Sequence, residues 1–150
     1  MSSGRAARRR ARELALQGVY QWLLSGNSVP GIVEHLQQSE EFAKADGELF
    51  TQLLRGTIGR SAELEADLAP FIHRTVEELS PVERAILLLG AFELKCSPEI
   101  PYRVIINEAI ELAKGYGGTD GHRFVNGVLD KLAGHLRQTE IESQRTPDKP

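Results

Sequence analysis

The stretch SPVERAILLLGAFELKCSPEIPYRVIINEAIELAK, residues 80–114, reads as two helices and the turn between them. Ser80 is a helix cap, Pro81 suits the first helical position and Glu83 the third. From Ala85 to Leu94 the pattern is apolar nearly all round, so this helix has to be largely buried by neighbours. Pro98 and Pro101 stop it and open the next, from Tyr102 to roughly Tyr116. There Ile105, Ile106, Ala109, Leu112 and Ala113 recur with the 3.6-residue period.

The same period runs through the flanking sequence. A first helix is expected from Arg8 to Leu24, with Ala7, Ala11, Leu14, Ala15, Gly18 and Trp22 on one side and Ser25-Gly26-Asn27 at its end. Ser28 and Pro30 open a second helix, carrying Ile32, Val33 and Leu36. Asp46 caps a third, with Leu49, Phe50, Leu53, Leu54 and Ile58, and its continuation through Leu64 and Leu68 is interrupted near Gly56 and Gly59. Pro70 and His73-Arg74-Thr75 form a junction. Beyond residue 114, Gly115, Gly117 and Gly118 end a helix. Asp120 caps the last one, lined by Phe124, Val125, Val128, Leu129, Leu132 and Leu136. The tail from about Thr139 is polar and expected to be disordered. No stretch alternates like a strand. The expectation is an all-α, compact bundle of six or seven helices forming one domain over residues 1–138. It has two packed halves, about 5–72 and 80–137, sharing an interface because each alone is small for a stable core.

With 41% hydrophobic residues over 150, the chain fits a globular protein. No apolar run approaches the roughly 18–20 residues of a membrane span, and no apolar segment follows the N-terminal arginines as in a secretory signal. The single cysteine, Cys96, suits a reducing cytoplasm. The charge of −3 is unevenly spread: residues 1–20 hold five arginines and one glutamate, whereas the other 130 hold 13 basic and 20 acidic residues. A basic head sits on an acidic body.

Enzyme chemistry finds little support. His35, His73, His122 and His135 are scattered without metal-ligand spacing, so neither a metal nor a cofactor is expected. Cys96 lacks a CxxC partner and reads as a core thiol. The pairs Glu40-Glu41 and Glu77-Glu78 read as solvated helix ends. The glycine cluster 115–121 follows a helix rather than a strand and does not complete a phosphate loop. Asn126-Gly127 lies inside a helical pattern, which argues against a hairpin there.

Arg5, Arg8, Arg9, Arg10 and Arg12 remain. Arg5, Arg8 and Arg12 fall within about 60° of one another on an ideal helix. Cations at a helix N-terminus oppose the macrodipole by typically 0.3–1 kcal/mol each. They are understandable if a polyanion lies across them, and the guanidinium fork suits phosphate oxygens. A solvated, frayed basic tail is the alternative. Arg123 and Phe124 place a cation beside an aromatic at a helix start, and Tyr20 and Trp22 lie on the arginine helix itself. Such pairs suit single-stranded nucleic acid, although Phe124 and Trp22 also suit a core.

Three motifs carry a family resemblance: Arg-Arg-Arg-Ala-Arg-Glu-x-Ala-x-Gln-x-x-Tyr (8–20), Ile-Pro-Tyr-x-Val-x-Ile-Asn-Glu-Ala-Ile-Glu-Leu-Ala-Lys (100–114) and Phe-Val-Asn-Gly-Val-Leu-Asp-Lys (124–131). Together they resemble the bacterial transcription antitermination factor NusB family, over roughly residues 5–137. The resemblance implies two small helical bundles and no enzyme activity. It implies binding to single-stranded boxA RNA of nascent rRNA leaders, together with the small-subunit ribosomal protein that serves as NusE, within the RNA polymerase antitermination complex. Arg5, Arg8, Arg9, Arg10 and Arg12 would hold phosphates, with Asp120, Arg123 and Phe124 on the RNA-facing edge. Tyr20, Glu83 and Asp120 would meet the ribosomal protein. Phe71 stands where relatives can carry tyrosine, and Gly121 where serine is common. Monomer and homodimer are both open. Two alternatives remain: a structural helical adaptor for an acidic protein, and a module related to the recognition domain of rRNA cytosine methyltransferases. The chain's end soon after the last helix favours a free-standing factor over the second.

Overall fold

The computed structural model describes residues 4–73, 75, 78–116 and 120–145. Among these there are eight α-helices and no strand: α1 (Arg5–Ser25), α2 (Val29–Gln37), α3 (Gly47–Gly59), α4 (Ser61–Leu68), α5 (Pro81–Cys96), α6 (Tyr102–Tyr116), α7 (Gly121–Leu136) and α8 (Gln138–Arg145). Single 3₁₀ segments cover Glu40–Lys44 and Ala69–Phe71.

Local chemistry sets most boundaries. Gly26 takes φ 70° just past α1, and its N–H donates to Trp22 O, a left-handed closure that disfavours other residues. The Ser28, Asp46 and Ser80 side chains accept from the N–H groups of Gly31, Leu49 and Glu83. The expected interruption falls at Arg60, between α3 and α4.

α5 is the central helix. Ala85 through Leu94 are all buried, and α1, α3, α4, α6 and α7 pack around it. At Gly90 a Cβ would lie 2.7 Å from Leu129 Cδ1, so the missing side chain lets α7 approach. One apolar cluster runs from Ala11 in α1 to Ala133 in α7, drawing on both expected halves. The Asp46 N–H donates to Ala7 O at 3.0 Å, pinning the start of α3 to the first turns of α1.

Three expectations need correction. The helix count is eight, because the interrupted third helix is two and residues 138–145 add another. Over residues 139–145 that last helix stands where a disordered tail was expected: Ile141 packs against the core, and the Glu140 carboxylate accepts from Tyr102 N–H at 3.1 Å and from Arg137. Two anchors suffice to hold a polar segment that lacks an apolar face. Asp120 precedes α7 but gives no side-chain cap bond, since its backbone (φ −111°, ψ 13°) is outside the extended region a cap needs. Arg74, Glu77, Gly117, Gly118 and the final Thr-Pro-Asp-Lys-Pro lie outside the described residues.

Arg137 does not stand out in the sequence pattern, yet it is buried and heavily bonded. Nε donates to Leu94 O at 2.8 Å, Nη2 to Ser97 O at 2.9 Å and Nη1 to Ile100 O at 3.1 Å. Leu94 O ends α5 without a helical partner because Pro98 has no N–H, while Ser97 O and Ile100 O belong to the turn that follows. One guanidinium thus ties the helix end to the turn, and a cation is the favoured partner there. Among the described residues no helix is long and apolar enough to cross a membrane.

Candidate nucleic-acid interface

The five arginines divide into two groups. Arg12 lies inside the bundle: Nε and Nη2 donate to Glu93 Oε1 and Oε2 at 3.0 and 2.8 Å, with the two side chains 6% and 4% exposed. Burial disfavours the Arg12 charge, but hydrogen bonding and attraction to Glu93 outweigh it and raise its pKa above the ordinary value. Arg9 makes a similar fork on Glu108, at 3.2 and 3.0 Å, and this hydrogen bonding and charge raise its pKa too. Arg10 pairs with Glu41, one of the acids read as solvated. Arg9, Arg10 and Arg12 thus have carboxylate partners within the fold, which the reading of the arginines as cations awaiting a polyanion did not include. Arg12 is enclosed with Nε and Nη2 held by Glu93, and Arg9 and Arg10 also hold carboxylates. Arg5 and Arg8 are exposed.

Arg5, Arg8 and Arg12 form one wall of a groove of about 440 Å³. Glu99, Ile100 and Pro101, from the α5–α6 turn, form its end, and Val104, Asn107 and Glu108 of α6 its far wall. Val104 is 42% exposed. The α1 wall is cationic and the α6 wall mostly neutral, with the Glu108 charge already matched by Arg9.

A second cluster forms where α5 and α7 begin. Asp120 and Arg123 are exposed, and Phe124 is half-buried against the core. Glu83 lies over buried Gly121, where a Cβ would come within 3.0 Å of its Oε2, so Glu83 and Asp120 share one edge. Glu83 and Glu93 are ten residues apart, so this edge and the Arg12 anchor are separated by about 15 Å along α5. Tyr20 is 37% exposed on α1, whereas Trp22 is half-buried against the core. Phe71 is also half-buried.

Among the described residues no group of His, Cys, Asp and Glu could hold a metal ion, and Cys96 is half-buried at the end of α5. Sequence reasoning missed Glu93, Glu108, Val104 and Asn107. The one available signal was Glu93, a lone carboxylate inside an apolar run, which demands a buried cation.

Fold and site together define a class: a helical bundle carrying a cation-lined groove suited to an anionic ligand. Comparison with known proteins is more specific. The NusB family model matches residues 9–134, and the chain belongs to that family, whose members are non-enzymatic. The transcription antitermination protein NusB of Aromatoleum aromaticum is 68% identical over 144 residues, covering 96% of this chain and 99% of that protein. The solved NusB of T. maritima superposes with a TM-score of 0.77 at 28% identity, covering 90% and 96% of the two chains. A solved structure of NusB and NusE in complex with dsRNA gives the same TM-score at 21% identity, covering 88% and 99%, and bears on the fold alone.

Proposed function

We propose that this chain is an RNA-binding antitermination factor that recognises boxA in nascent rRNA leaders in the bacterial cytoplasm, together with the ribosomal protein serving as NusE. In this role it acts within the RNA polymerase antitermination complex and promotes rRNA transcription and maturation. The observation that carries the reading is the groove with Arg5 and Arg8 on its α1 wall, in a chain of the NusB family. A NusB of the same fold has been solved in complex with NusE and dsRNA, which makes these the classes of ligand to test. Arg5 and Arg8 supply attraction to phosphates, with Arg9 and Arg10 reinforcing the field while bonded to their glutamates. Asp120, Arg123 and Phe124 extend the RNA-facing edge. Tyr20, Glu83 and Asp120 face the ribosomal protein, and the acidic body complements a basic partner.

The test is boxA binding across a salt series, with and without the ribosomal protein. Replacing Arg5 and Arg8 with alanine should weaken binding and reduce the log–log salt slope by about 0.7 for each phosphate of the single strand that is no longer neutralised. The ribosomal protein should tighten boxA binding, and linkage then requires boxA to tighten the protein pair by the same factor. An unchanged slope, or equal affinity with and without the partner, contradicts this reading. A duplex of the same sequence serves as the second RNA.

A further inference from the structure

Asn107 and Val104 stand one turn apart on the outer face of α6, opposite Arg5 and Arg8 across the groove. Neither contributes evidently to the fold. Asparagine is a weaker helix former than alanine, by roughly half a kcal/mol in a helix interior such as position 107. The Asn107 carboxamide has no hydrogen-bond partner among the described residues, and Val104 leaves 42% of its surface exposed. The neighbouring Glu108 differs: its carboxylate is taken by Arg9.

The walls of the groove also impose a direction. A phosphate chain is drawn to the α1 side, where the guanidinium groups are, and repelled by Glu99 at the end of the groove. A strand held that way turns its bases toward α6. There a carboxamide offers a donor and an acceptor side by side, the arrangement that pairs with a base edge, and a branched methyl surface offers the base an apolar seat.

We infer that Asn107 and Val104 read one unpaired base of the RNA whose phosphates Arg5 and Arg8 attract. The inference rests on the RNA-binding function proposed above and adds a specificity-determining pair to it. In this arrangement α1 supplies affinity that is blind to sequence, and α6 supplies discrimination.

The experiment compares Asn107→Ala, Val104→Thr and Arg5→Ala/Arg8→Ala with the unaltered chain. The probes are a boxA single strand, a set in which each of its bases is changed in turn, and a scrambled strand of equal length. Circular dichroism establishes that each variant is helical. For N107A we expect about a tenfold loss on boxA, little change on the scrambled strand and an unchanged salt slope. The unaltered chain should discriminate at one base position where N107A does not, and V104T should weaken binding at that same position. The double arginine variant should instead lose affinity for both strands and flatten the slope. If the unaltered chain binds boxA but N107A binds every strand as it does, or loses boxA and scrambled RNA equally, the inference is overturned and the function stands. If the unaltered chain binds neither strand, with or without the ribosomal protein, both are overturned.

Discussion

Replacing Arg12 with methionine should destabilise the protein by about 3–5 kcal/mol, because Glu93 would be left charged and enclosed. The paired change Arg12→Met with Glu93→Leu should recover most of that loss, and urea unfolding of the three variants measures it. A double variant as unstable as the single one would mean that the two side chains are not energetically coupled. The same geometry warns against taking weakened RNA binding in an Arg12 variant as a sign that Arg12 holds a phosphate. Arg12 shows where sequence reasoning stopped. Its place on the helical wheel next to Arg5 and Arg8 was legible, but inward or outward orientation depended on a partner 81 positions away. Glu83 was partly legible: its backbone closes the Ser80 cap as expected, while its carboxylate over Gly121 came only from the docking of α7 against α5.

Helix starts marked by a capping side chain were legible because the Ser80, Ser28 and Asp46 bonds are local. So was the break between α3 and α4, where Gly59 meets Arg60. The α8 helix was not, since its hold on the bundle comes through Glu140 and Ile141 to distant partners. Between α4 and α5, Lys95 Nζ lies 2.7 Å from both Glu63 and Asp67. Bonding to Asp67, then Glu63, raises the Lys95 pKa above 10.5, and bonding to Lys95 lowers that of Glu63 below 4.5. A lowered carboxylate stabilises fully above 4.5 and loses this as pH falls through its folded value. A raised ammonium stabilises fully below 10.5 and loses this as pH rises through its own. The stability difference between the unaltered chain and Lys95→Met should therefore be flat between those limits and shrink on either side. Denaturant melts at a series of pH values check it. A difference that drifts through neutral pH would assign the effect to other groups.

For the molecule as a whole, the apolar cluster passes through α5 and joins residues before position 73 to those after 80. Unfolding should therefore be a single event. The only tryptophan, Trp22, reports on α1, while far-ultraviolet circular dichroism reports on every helix. Their urea transitions should coincide; two separated midpoints would mean that the halves melt independently. The all-helical class and the basic head were legible from periodicity and charge, which are properties of the chain alone. The division of the head into enclosed and outward arginines was not, because it arises from packing against α5 and α6. A related consequence concerns Arg137. The guanidinium that closes the end of α5 lies 43 residues beyond Leu94. During synthesis that helix terminus emerges from the ribosome before its closing group does. Until that group arrives, water is the partner left for the Leu94 carbonyl, so the central helix of a growing chain is held less firmly at that end until α7 has followed it out.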